Sequence, residues 1–123
     1  RAVHFFDENK RAYEEAERLK HNDFNGFLKL VRQSGMSSEN YLQNLYSSKS
    51  PTKQEIPLAL MVGKKILGED GAIRVHGGGF AGTIQGFVPE AKVKQYVSTM
   101  NGLFGNDACY NLSVRSLGGT EII

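Results

Sequence analysis

The chain has a single cysteine, Cys109, so no internal disulfide can form and the fold must rest on its own core. It also lacks any run of about eighteen apolar residues and any signal-peptide pattern. A membrane span is thereby excluded, and a soluble, cytoplasmic chain is expected. An excess of one charge is missing as well. Fifteen basic against thirteen acidic residues leave a net charge of +2, too weak and dispersed to suggest a nucleic-acid partner. The three histidines, His4, His21 and His76, have no ligand-like spacing to one another or to Cys109, so no metal site is expected. Cys109 has no basic neighbour to lower its pKa and reads as a small buried hydrophobe, not a nucleophile.

What is present fits one domain spanning residues 1–123. With 123 residues, 40% apolar and 23% charged, a single core can bury roughly two thirds of the unfolded chain's surface. No repeat or low-complexity stretch appears, and Ser47-Ser48-Lys49-Ser50-Pro51 reads as a loop inside that domain. The chain opens on Arg1, directly in a helical pattern, so it is expected to be a piece of something longer.

Periodicity predicts three helices first. Ala2, Phe5, Phe6, Ala12, Tyr13, Ala16 and Leu19 share one stripe, which reads as core, opposite Glu14, Glu15, Glu17 and Arg18. Glu14 and Arg18 are spaced for an ion pair. Asn22 or Asp23 can cap a second helix through Phe24, Phe27, Leu28 and Val31, with Gly35 as its left-handed stop. The third runs from about Gln54 to Leu67, with Pro57 in its first turn and Gly68 after its end. The pattern then alternates. Strands are expected at Ile73–Val75 and Thr83–Val88, followed by a helix through Val93, Tyr96, Val97, Met100 and Phe104 that stops at Gly105. A last strand is expected through Ala108, Tyr110, Leu112 and Val114. This order predicts an α+β fold: a small, mostly antiparallel sheet with helices on one face.

Between the first two strands lie Gly77-Gly78-Gly79-Phe80-Ala81-Gly82, a loop of nearly bare backbone. Successive amides in mixed right- and left-handed conformation form a concave nest for anions, and the missing side chains let a phosphate approach. Each amide bond to a charged oxygen can contribute about 1.5–3 kcal/mol. A wide hairpin whose glycines only accommodate unusual dihedrals is the competing reading. Gly77, Gly79 and Gly82 formally satisfy the dinucleotide-binding spacing. That fingerprint, however, needs a helix at its end and an acidic residue about twenty positions on, and neither is here. The loop between strands fits the phosphate-covering loop of protein kinases better, yet His-Arg-Asp and Asp-Phe-Gly are both absent.

With its flanks, Arg74-Val75-His76-Gly77-Gly78-Gly79-Phe80-Ala81-Gly82-Thr83 resembles the third motif of galactokinases, members of the GHMP small-molecule kinase family. The family form is close to Arg-Met-Thr-Gly-Gly-Gly-Phe-Gly-Gly-Cys. Arg1-Ala2, His4, Glu8-Asn9 and Arg11 resemble the helix that opens the family's C-terminal region, and Asp23, Phe27, Leu30, Ser34 and Ser37 follow in register. The resemblance spans nearly the whole chain in order. It implies the C-terminal lobe of an ATP-dependent kinase for the anomeric hydroxyl of galactose, with a ferredoxin-like GHMP fold.

It also implies site-lining roles beside the triphosphate for Gly77, Gly78, Gly79, Phe80, Ala81 and Gly82. His76, where the family has Thr, is read as hydrogen-bonding the loop backbone in preference to a phosphate. The implied cofactors are ATP and Mg2+, and the implied partners a sugar substrate and an N-terminal lobe. That lobe would carry the catalytic Asp, the sugar-binding residues, the main phosphate loop and the Mg2+ ligands, so no catalytic residue is expected here and the chain alone should be inactive. Gly35-Met36-Ser37-Ser38 only superficially echoes the phosphate loop. Where the family has Arg-Asp-Asp-Tyr-Glu-Val-Ser, this chain reads Ser38-Glu39-Asn40-Tyr41-Leu42-Gln43-Asn44, which leaves galactose as the leading sugar among small-molecule acceptors. A stand-alone phosphate- or nucleotide-binding regulatory module is the second reading.

Overall fold

The computed structural model describes residues 1–80 and 82–114. Four helices and two strands follow in the order α1 (Ala2–Lys20), α2 (Phe24–Ser37), α3 (Glu55–Leu67), β1 (Ala72–Val75), β2 (Ile84–Phe87) and α4 (Glu90–Phe104). A π-helical turn, Ser38–Leu42, continues α2. The strands pair antiparallel, with Ala72 opposite Phe87 and Val75 opposite Ile84. The expected α+β class with a small antiparallel sheet is the observed one.

Alternation along β1 sorts the core into two layers. Ile73 and Val75 face α3 and α4, packing with Ile56, Leu60, Leu67, Tyr96 and Met100. Ala72 points the other way, onto Phe27, Leu28 and Val31 of α2, with Phe87 beside them. The helices therefore flank both faces of the sheet, not one. Both faces of the strand are covered because α2 packs on one and α3 with α4 on the other.

Helix boundaries follow local chemistry, with instructive exceptions. Asp23, and not Asn22, caps α2: its carboxylate accepts from the Gly26 amide at 2.9 Å. Pro57 sits in the first turn of α3, and Gly68 ends that helix at φ 58°. Gly35 does not stop α2. It is helical because a Cβ there would lie 3.1 Å from the Arg74 Cβ, so this glycine serves close packing of helix on strand. The chain instead leaves the helical path at Gln43, in the left-handed region with φ 54°.

Three further expectations are corrected. The Phe5, Phe6 and Tyr13 stripe is not core; α1 buries no residue, and those side chains face solvent. Glu14 pairs with Lys10 and Arg18 with Asp23, since capping holds Asp23 beside Arg18. Ala108–Val114 forms no strand. Its alternating Tyr110, Leu112 and Val114 are exposed and have no strand partner among the described residues. Among the described residues, no helix is long and apolar enough to cross a membrane.

Candidate functional site

The glycine loop closes the β1–β2 hairpin. The ladder extends one pair past the strands, with the His76 amide donating to the Thr83 carbonyl at 3.0 Å, and the tip begins there. The His76 side chain is exposed. Gly77 and Gly79 have φ of 64° and 73°, and Gly78 between them does not have positive φ. Positive φ on either side of a residue without it turns successive amides toward one side, as a concave anion nest requires. Among the described residues, no protein acceptor takes the amides of Gly77, Gly78 or Gly79. Gly77, Gly78 and Gly82 are exposed, and among the described residues a Cβ at any of the three would meet nothing within 4 Å.

The other half of the tip is anchored. Gly79 is buried, and a Cβ there would lie 2.2 Å from the Asn44 carbonyl oxygen. That carbonyl accepts the Phe80 amide at 3.0 Å, although the Phe80 ring stays exposed. The Asn44 side chain completes the anchor: Nδ2 donates to the Gly78 carbonyl at 3.3 Å, and Oδ1 accepts from Ser38 Oγ at 3.2 Å. Only 2% exposed, Asn44 is wholly committed to this task. Ala81 lies outside the described residues. Of the six site residues expected from sequence, Gly77, Gly78 and Gly82 thus form an open rim and Gly79 a packed base.

A polar network lies behind the tip. Arg74 Nη1 donates to Glu8 Oε1 at 2.9 Å and to Ser34 Oγ, and its Nε donates to the Val75 carbonyl at 3.1 Å. Ser34 also donates to Glu8, and Arg11 pairs with the same carboxylate. Burial alone would raise the Glu8 pKa. The hydrogen bonds from Ser34 and Arg74, with the charges of Arg74 and Arg11, outweigh it and hold the carboxyl below its ordinary range. Next along, His4 Nδ1 and Ser37 Oγ lie 2.9 Å apart. The network ties α1 and α2 to β1, three residues before the tip.

Sequence reading had Glu8, Ser34, Ser37 and Arg74 as points of resemblance without a role. It missed Asn44 and Ser38, which sit in a polar, turn-prone stretch. The one available signal was a glycine triplet too bare to pack by itself, which implies a partner for its buried side. A separate groove of about 300 Å³ lies between α2, α3 and β1, lined by Arg32, Lys64, Leu67 and Arg74 but not by the glycine tip.

Structurally, then, the chain is an α+β unit that presents a clamped hairpin tip of bare backbone. No family model and no solved structure matches it. Among curated proteins, it is similar to the galactokinase of Actinobacillus succinogenes, with 31% identity over 93 residues, or 76% of this chain. The chain spans 22% of that relative's length. It therefore contains a galactokinase-related region.

Proposed function

We propose that this chain is the C-terminal lobe of an ATP-dependent galactokinase of the GHMP kind. The full protein would transfer the γ-phosphate of ATP to the anomeric hydroxyl of galactose or a related sugar. The similarity to a galactokinase supports the reading, and the single structural observation that carries it is the open half of the glycine tip. Gly77 and Gly78 would donate backbone amides to phosphate oxygens, with Gly79 packed beneath them as their base. Asn44 would keep those donors fixed, so that no reorganisation is required as charge develops.

Bare amide donors suit phosphate oxygens, and the tip offers no side-chain ligand for a metal ion. Residues 77–82 include no carboxylate or hydroxyl, so Mg2+ would be held by groups elsewhere in the protein, where it neutralises phosphate charge. The base and the sugar-binding groups belong to the same missing part. For this reason the isolated chain should turn over no ATP.

The test is a chimera: the A. succinogenes galactokinase with its matching segment replaced by this chain, assayed for ADP release with ATP and galactose. Turnover is expected, and Gly78→Val should lower it by about 100-fold. Among the described residues a Cβ at 78 would meet nothing within 4 Å, and an unchanged Tm of the chimera variant confirms that its effect reads the ligand and not the fold. A folded chimera without turnover, or a harmless Gly78→Val, would overturn the reading.

A further inference from the structure

Helix α1 is amphipathic the wrong way round for a surface helix. His4, Glu8, Arg11 and Glu15 form its half-buried stripe, turned toward α2 and β1. Phe5, Phe6 and Tyr13 stand 61%, 69% and 78% exposed, joined by Val3 and Leu19. Among the described residues no other helix exposes more than two large apolar side chains. Phe5 and Phe6 meet edge to face at 5.5 Å, so they already form one apolar knob. Ala12 and Ala16 lie further along the same helix, leaving room for a partner to approach the backbone. From Phe5 to Tyr13 the face is about 12 Å long.

The helix cannot solve this by rotating. Turning the apolar face inward would break the bonds of Glu8 to Arg74 and Ser34 and of His4 to Ser37, and would leave Arg74 half-buried beside apolar side chains. Cover must therefore come from outside these elements. An apolar face of this extent on a water-exposed helix marks an interaction surface.

We propose that the Phe5, Phe6 and Tyr13 face of α1 is the docking surface for the remainder of a galactokinase-like protein. This rests on the function proposed above. The argument for that occupant is length: the matched segment makes up 22% of the relative, so most of a protein of that kind lies outside the match and is there to cover the face. Of the described helix faces, α1's is the one with both the apolar area and no neighbour of its own. The partner surface it fits is apolar and helical.

The chain is co-expressed with the part of the A. succinogenes galactokinase outside the match, and co-purification is measured for wild type and Phe6→Glu/Tyr13→Glu. Retention of the wild type and loss of the double variant is the expected result. Failure of the wild type to co-purify, or equal retention of the variant, would overturn the proposal. In the chain alone, the double variant should remain monomeric in sedimentation and change Tm by no more than about 3 °C, as surface substitutions do. A larger fall would make the face internal packing, and a wild-type dimer that the variant dissociates would make the occupant a second copy. Either outcome sinks the proposal. A complex that assembles but does not phosphorylate galactose would leave the interface standing and refute the kinase reading.

Discussion

Gly78 and Gly79 are neighbours with opposite tolerance. Gly79 has φ of 73° and no room for a Cβ beside the Asn44 carbonyl, whereas Gly78 has neither constraint. Gly79→Ala should cost about 2–3 kcal/mol, from strain and overpacking against backbone that cannot yield. Gly78→Ala should change stability by less than about 0.5 kcal/mol. Urea denaturation of the two variants checks both. Asn44→Ala leaves the buried Ser38 hydroxyl and the Gly78 carbonyl without their partner, at a cost of about 1–3 kcal/mol. The same substitution in the chimera should raise KM for ATP and leave KM for galactose unchanged. A lone glycine triplet says in sequence that the backbone must be bare. It does not say that one glycine is bare for a ligand and its neighbour for an asparagine 35 positions earlier.

At the scale of elements, α1 is held by polar chemistry. Its fixed points are Glu8 on Arg74 and Ser34, and His4 on Ser37. The folded pKa of Glu8 lies below its ordinary value, so the folded state favours the ionised form. The stabilisation is fully present above the unfolded pKa and is lost as pH falls through the folded one. Wild-type Tm should therefore drop as pH falls below the ordinary carboxylate range, and Glu8→Gln should flatten that drop while lowering Tm at neutral pH. Amide exchange in α1 should rise in the variant, since the helix buries no apolar residue to hold it. Helix α3 behaves oppositely. Gly63 is buried against Ile73, Met100 and Tyr96, and Gly63→Leu should cost about 3 kcal/mol or more in urea denaturation by forcing α3 away from the sheet.

Taken as a whole, the molecule is a two-stranded sheet pressed between α2 on one side and α3 with α4 on the other, with α1 outermost. Tyr96 of α4 sits at the edge of the larger layer, where burial first and the nearby Cys109 second push its pKa up to about 12. The folded state thus favours the neutral phenol. Stability should be unaffected by this group below about pH 10 and fall between there and about 12, because the unfolded chain loses the proton first. A Tyr96→Phe variant should lack that alkaline slope in Tm measurements. Burial also raises the Cys109 thiol, so its modification by a disulfide reagent near pH 8 should be slower than that of free cysteine.

Sequence alone determined the helices, the hairpin, a cap at Asn22 or Asp23, the stop at Gly68 and the bare backbone at the tip, because these depend on side-chain period and on dihedrals that a few residue types permit. It misjudged α1 because periodicity reports that a face is apolar and not where the face points. Nor could it show that Ala108–Val114 lacks a strand partner among the described residues, since alternation describes one strand and a ladder requires two. Only the tertiary structure decided which stripe of α1 turns inward, that both faces of β1 are covered, and that Asn44 and Ser38 brace the loop. Each of these depends on groups far apart in the chain meeting in space, by apolar packing on β1 and by hydrogen bonds at α1 and the loop, and no local pattern carries that distance.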